Sequence, residues 1–236
     1  MRILLPPSET KQNGGTGAPL ALADLSFPTL TKTRTQLVRS VVSLGAKARR
    51  AAARQALRLS ANQDDEIARN AAIRSSPTAA ALDRYSGVLF DALDASSLRP
   101  AQRGSIWIAS ALFGVLAADD PVPAYRLSAN SRLPGLGTLA SIWKPTLSTL
   151  LCSAGPILDL RSGSYAALAP IPDAFVARVI DADGRSISHH NKATKGRLAR
   201  VIAGSRATDL DGIVTIASRA GLSVRVTGER TFDVVI

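Results

Sequence analysis

Two stretches of the chain concentrate side chains that can do chemistry. In "PPSETK", Ser8, Glu9 and Lys11 follow directly on the short apolar run "RILL". An amine two residues from a carboxylate offers an acid/base pair, and a plain surface loop is the competing reading. In "SHHNKATKGRLAR", Ser188 to Arg200, both histidines stand beside Lys192, Lys195, Arg197 and Arg200. Read as a helix from Lys192, this stretch gathers Leu198, Val201 and Ile202 on one side and spreads its cations over the other. No carboxylate occurs between Arg185 and Arg206. A solvated helix face usually mixes signs, so the unbalanced charge favours an anion-binding surface, with Lys192, Lys195 and Arg197 as phosphate contacts. His189 and His190 read as the end of a strand, pointing to opposite sides, with Asn191 able to cap the helix. Two adjacent histidines and one cysteine make no metal-ligand set, so no metal or other cofactor is expected.

Three other segments carry weaker signals. "LPGLGTLAS", Leu133 to Ser141, resembles the turn of a helix-hairpin-helix motif, in which Gly135 and Gly137 let backbone amides approach a phosphate. Ser141 replaces the alanine expected four residues after Gly137, and such glycine patterns also occur in ordinary turns. "LRSGSY" places Ser162 and Tyr165 in a turn after a predicted strand that could cradle a phosphate, with Ser162 as a phosphate contact. It lacks the lysine of a P-loop and the glycine spacing of a dinucleotide fingerprint. "DDPVPAYRL" contributes Asp120, Tyr125 and Arg126 from a proline-stiffened loop.

Composition bounds what these residues can belong to. With 236 residues, 46% of them hydrophobic, the chain can bury a sizeable core. Aromatics are only 4%, which argues against a single-strand binder that stacks bases on exposed rings. The net charge of +11 attracts polyanions, although arginine-rich codon usage accounts for part of it. Cys152 excludes an intrachain disulfide and, within the run Leu147–Cys152, reads as a small buried side chain. The apolar run at the N-terminus is too short for a signal peptide, and no segment approaches a membrane span, so a soluble cytoplasmic protein is expected.

The elements follow from periodicity. "RILLP" predicts a first strand, 34–59 a helix with a cationic stripe at Lys47, Arg50, Arg54 and Arg58, and "SANQ" a capping box for a second helix. "SIWIASALFGVL" predicts a central strand, "ILDL" another, and "FVARVIDADGRSISHH" two strands joined at Asp183-Gly184. A helix over 192–203 ends at Gly204, another precedes Gly221, and the chain closes in a hairpin turning at Gly228. The expectation is one mixed α/β domain over 1–236, with a central sheet, surrounding helices and a C-terminal hairpin.

Several of these segments together resemble the YaaA family of bacterial peroxide stress proteins. They are "ILLPPSETK", "YSGVLFDAL" from Tyr85, and "LFGVLAADDPVPAYRL" with Gly114, Asp120, Tyr125 and Arg126. Trp143, "LDLRSGSY" and "NKATKGRLAR" with Lys192, Lys195, Gly196 and Arg197 complete the set. The chain departs from the pattern at Ser164, where relatives can carry an acidic residue, and near Ala117, where a basic residue is missing. The resemblance implies an unusual α/β domain with a positively charged cleft. It also implies binding of duplex or branched DNA, and protection from peroxide by limiting free iron. DNA contacts carry over to Lys192, Lys195, Arg197 and Arg126, and to Gly135 and Gly137. A second function remains open beside it. Glu9, Lys11, Asp120 and Tyr125, with Ser8, Arg126, Ser162, Tyr165 and Lys192, mix acids, hydroxyls and cations as an enzyme pocket for a nucleotide or other phosphorylated small molecule does.

Overall fold

The computed structural model describes residues 1–46, 49–185 and 188–236. Its main sheet has seven strands in the order β5-β4-β1-β7-β8-β10-β9. These are β1 (Arg2–Leu5), β4 (Ile106–Ser110), β5 (Gly114–Ala117), β7 (Ile157–Asp159), β8 (Phe175–Ile180), β9 (Ser223–Gly228) and β10 (Thr231–Val235). The inner pairs are parallel, and the outermost strands β5 and β9 run antiparallel to their neighbours. β1 lies between β4 and β7, with Leu4 opposite both Trp107 and Asp159. The carboxyl ends of β1, β4 and β7 therefore emerge side by side, which is where α/β sheets place ligands. All five residues of β4 are buried, as expected of a strand covered on both faces.

A small second sheet joins β2 (Gly17–Pro19), β3 (Pro77–Ala80) and β6 (Pro121–Val122). The helices are α1 (Thr31–Ser43), α2 (Arg50–Leu57), α3 (Asp64–Ala71), α4 (Ala81–Arg84), α5 (Val88–Leu93), α6 (Pro100–Arg103), α7 (Leu139–Cys152), α8 (Gly163–Ala166), α9 (Ser188–Ile202) and α10 (Leu210–Arg219). The mixed α/β architecture and the C-terminal hairpin are as the sequence implies. Among the described residues, no helix is long and apolar enough to cross a membrane.

Three local expectations are corrected. The helix expected over 34–59 is two helices, α1 and α2, and Arg58 leaves α2 in the left-handed conformation (φ 56°). Lys47 lies outside the described residues, but Leu37, Val38, Val41 and Leu44 are buried as the pattern requires. The stretch read as a second strand before Lys192 is already helical from Ser188, so His190 and Asn191 lie within α9 and Asn191 is not its cap. Residues 186–187 and the side chain of His189 lie outside the described residues. Cys152, expected to be buried, is exposed because it ends α7 on the solvent side.

α9 packs along α5 at a distance that only glycine permits. A Cβ on Gly196 would stand 2.2 Å from the Leu89 carbonyl oxygen and 2.9 Å from the Ala92 Cβ. Gly196→Ala should therefore force the helices apart. A loss of about 2 kcal/mol or more in urea unfolding is expected, and a neutral result would show that the contact is not rigid.

Candidate functional site

The loop that follows β1 is laced to the segment after α4. Gln12 N–H donates to the Arg84 carbonyl (2.9 Å), Ser86 N–H donates to the Thr10 carbonyl (3.4 Å), and Lys11 forms a backbone bridge with Tyr85. This turns the Lys11 side chain inward, and the residue is only 9% exposed. Its ammonium donates to the Ser8 carbonyl at 2.9 Å and, more weakly, to the Glu9 carbonyl at 3.4 Å. It lies 4.4 Å from the Tyr125 ring centroid and 5.1 Å from that of Tyr85. Among the described residues no carboxylate forms an ion pair with it. Burial, followed by the neighbouring Arg126 charge, pushes the Lys11 ammonium down to about 7, against weaker opposing pulls from Glu66 and Glu9.

Behind the amine runs a chain of hydroxyls. Tyr85 Oη and Tyr125 Oη are 2.6 Å apart, Tyr125 Oη is 2.6 Å from Ser110 Oγ at the end of β4, and Phe113 N–H donates to that Oγ (2.9 Å). Burial raises both phenols above their ordinary range, so they stay protonated and act through their hydrogen bonds. Tyr165, on α8 after β7, is raised by burial as well, and the charges of Glu9 and Arg126 act on it.

Arg126 completes the cluster. Its backbone is clamped by the fully buried Asn70 of α3, which accepts from the Arg126 N–H and donates to its carbonyl, both at 2.8 Å. Its guanidinium Nη2 donates to Glu9 Oε2 at 2.7 Å. The partners are unequal: the Arg126 side chain is 13% exposed and that of Glu9 is 66%. Among the described residues, Arg126 Nε is buried with no hydrogen-bond partner. Glu66 and Arg69, paired at 2.6 Å, also act on the Lys11 charge, and Arg69 reaches the Asn13 side chain at 3.0 Å.

The fold thus brings together Glu9, Lys11, Tyr125 and Arg126, with Tyr165 beside them. It assigns Asp120 elsewhere. The buried Asp120 carboxylate accepts from Ser26 N–H and Oγ (2.9 and 2.7 Å) and from Ala117 N–H (3.0 Å), so it ties the 20s loop to β5. Ser162 is exposed at the start of α8, its hydroxyl 3.3 Å from that of Ser164. The arginine of "LRSGSY" turns inward: Arg161 makes a two-pronged bond to Asp159 (2.9 and 2.7 Å) and donates to the Tyr165 and Ala169 carbonyls.

The cations of α9 also divide. Lys195 points in and donates to the Leu160 carbonyl at 3.1 Å, and Arg200 reaches the Leu93 carbonyl (2.9 Å) and the Asp94 carboxylate (3.4 Å). Lys192 and Arg197 are exposed. Neither bonds to Lys11, Tyr125 or Arg126 among the described residues. Gly135 and Gly137 are exposed in a turn leading into α7, but the residues before it, 123–132, contain no helix, so the local helix-hairpin-helix pattern lacks its first helix. Asn70, Arg69 and Ser110 carried no signal in the sequence. Each is an ordinary polar residue whose link to the cluster comes from a partner outside its own element: Arg126 for Asn70, Asn13 for Arg69 and Tyr125 for Ser110.

Compared with known proteins, residues 1–226 match the family model described as peroxide stress protein YaaA. A UPF0246 protein of Corynebacterium efficiens is 43% identical over 241 aligned residues, covering 98% of this chain and 97% of the relative. A UPF0246 protein of Corynebacterium glutamicum is 42% identical over 95% of this chain and 94% of its own length. One from Streptomyces coelicolor is 41% identical over 85% and 82% respectively.

The Lys11 environment has a measurable consequence for stability. Its amine binds a proton more weakly in the folded chain (about 7) than in the unfolded one (10.5). Between those pH values the unfolded state holds more protons, so stability should rise with pH through this window. The Lys11 contribution to that slope is at most about 1.4 kcal/mol per pH unit. Comparing urea unfolding of the wild type with Lys11→Met from pH 7 to 9 should show a shallower slope in the variant. Parallel curves would mean that Lys11 is not perturbed.

Proposed function

We infer that this chain, which belongs to the peroxide stress protein YaaA family, is an enzyme acting on a phosphorylated small molecule at the Lys11–Arg126 cluster. The observation that carries this reading is the buried Lys11 amine, which among the described residues has no carboxylate ion-pair partner and sits against two tyrosine rings at the carboxyl edge of a parallel sheet. Structural lysines in interiors are ordinarily paired with a carboxylate, because burying an unpaired charge is costly. Arg126 supplies the anion anchor, with Glu9 occupying its guanidinium from the solvent side. The hydroxyls of Tyr85, Tyr125 and Ser110 supply protonated donors near neutral pH. Asp120 has no part in this assembly, since its carboxylate is fully engaged with Ser26 and Ala117.

A DNA-binding function has separate support. Lys192 and Arg197 are exposed on α9, and Arg58 and Arg132 line a groove of about 220 Å³ beside Pro134, next to the glycine turn. With a net charge of +11, such surfaces suit phosphate contacts without base reading. The two readings use different residues, so they separate cleanly.

Thermal unfolding with a panel of nucleotides and sugar phosphates should reveal at least one compound that raises the wild-type Tm. At a hundredfold excess over Kd the gain is about 3 kcal/mol, and it should vanish in Arg126→Ala. If no phosphorylated compound stabilises the chain, the enzyme reading is wrong. For DNA, the double variant Lys192→Ala, Arg197→Ala should weaken duplex binding and flatten its salt dependence by about two counterions, while leaving the small-molecule Tm gain intact. Duplex binding that is insensitive to salt would remove the second reading.

A further inference from the structure

We propose that Lys11 is a covalent nucleophile, whose amine forms an imine with the aldehyde or ketone carbon of a phosphorylated substrate anchored at Arg126. This rests on the small-molecule reading above and names the reactive group of that substrate.

Three features of the cluster lead here. First, the Lys11 amine is oriented by carbonyl oxygens alone, those of Ser8 and Glu9, so loss of its proton breaks no ion pair. The chain provides its own contrast in Lys195, a second inward-facing lysine bonded to carbonyls. At Lys195 burial is opposed by the Asp159 carboxylate, whereas at Lys11 the largest charge effect, that of Arg126, acts together with burial, and Glu66 and Glu9 pull the other way. Second, the amine lies over two tyrosine rings, which hold it in place by cation–π attraction while it is charged and leave it an apolar wall that suits an uncharged carbonyl carbon. Third, Arg126 is an anchor held by an exchangeable partner. Glu9 is exposed, and a phosphate replacing it would meet the same guanidinium, including the Nε that now has no partner. Glu9 belongs to the loop whose carbonyls hold the amine, so the anchor's exchangeable partner and Lys11 share one loop.

The step balances without an external reagent. The neutral Nζ attacks the carbonyl carbon, a C–N bond forms, and the carbonyl π pair moves to oxygen, which takes up a proton. The carbinolamine then loses that oxygen as water, with the remaining N–H proton, and leaves the imine. Amine and carbonyl become imine and water. Tyr85 and Tyr125, whose rings stand against the amine and whose hydroxyls share a hydrogen bond, are the groups assigned to pass these protons. The perturbed amine supports the chemistry, because a lysine that titrates at about 7 is substantially neutral at physiological pH.

The full chain is incubated with glyceraldehyde 3-phosphate and cyanoborohydride, which reduces imines in place, and the adducts are mapped by peptide mass spectrometry. Lys11 should be labelled about tenfold or more over the exposed Lys32, Lys144 and Lys192, as a shift of several pKa units allows. Labelling should rise with pH through a midpoint near 7, where an ordinary surface lysine is still protonated. Excess glycerol 3-phosphate, which carries the phosphate but no carbonyl, should suppress the Lys11 adduct without forming one. Arg126→Gln should lower it. Because the wild-type map compares six lysines within one folded chain, the result does not depend on whether a Lys11 variant folds. If phosphorylated compounds raise Tm but Lys11 stays unlabelled, or if label spreads evenly over exposed lysines, the imine is overturned and the binding site stands. If nothing phosphorylated binds and no Lys11 adduct forms, the underlying reading of the site falls with it.

Discussion

Arg84 is buried completely, has no carboxylate partner among the described residues, and holds the site together through carbonyl oxygens. Its Nη1 donates to the Gln12 carbonyl, Nη2 to those of Gly14 (2.7 Å) and Pro77 (3.3 Å), and Nε to that of Val122 (3.1 Å). Burial pushes the guanidinium down from its ordinary range, which marks the cost of removing it from water. Four main-chain carbonyls offset that cost, and in doing so they tie the Lys11 loop to β3 and β6. The loop passes so closely that a Cβ on Gly15 would lie 2.3 Å from the Thr78 carbonyl oxygen. Lys11 faces inward because the backbone on either side of Arg84 leaves its loop no other course.

A second buried arginine works in the same way at the far side of β5. Arg34 donates to the Phe113, Val115 and Ser26 carbonyls (3.0, 2.8 and 2.7 Å), and burial lowers it to about 10 against the opposing pull of Asp120. Asp120 is drawn into this scaffold through Ser26 and Ala117. In a chain with 4% aromatics, two rigid guanidinium forks bind irregular segments through their main-chain carbonyls. The division of labour has a consequence for chemistry. Carboxylates are spent on structure at Asp120 and Asp159, and the one near Arg126, Glu9, remains in solvent. The Lys11 amine is left among carbonyls, rings and a like charge.

Charge read along the chain is a poor guide to charge in space, and α9 shows why. Its four cations have no carboxylate within their own stretch, yet Arg200 finds Asp94 across the α5 contact and Lys195 finds the end of β7. Only Lys192 and Arg197 remain on the wet face. The close approach at Gly196 makes these partners reachable, because it brings α9 against α5 without an intervening side chain. The apolar positions Leu198 and Ile202 were legible from helical spacing, and both are buried. The destinations of the cations were not, since they depend on residues 35 positions earlier for Lys195 and 107 for Arg200.

Local signals determined a good deal by themselves. The apolar runs of β1, β4 and β7, the glycine at the end of α9, the capping glutamine at Gln63 and the hairpin at Gly228 each follow from short-range sterics and hydrogen bonding. The same local reading placed Glu9 and Lys11 just past a strand end, Tyr125 and Arg126 in a stiff loop, and Tyr165 after another strand. Only the tertiary structure decided which of these meet. Asn70 reaches Arg126 across 56 residues, Arg84 reaches Gln12 across 72, and Ser110 reaches Tyr125 across the turn of a hairpin. Hydrogen bonds of that kind leave no periodicity to read, because a single polar side chain looks the same in sequence whether it faces water or closes a buried network.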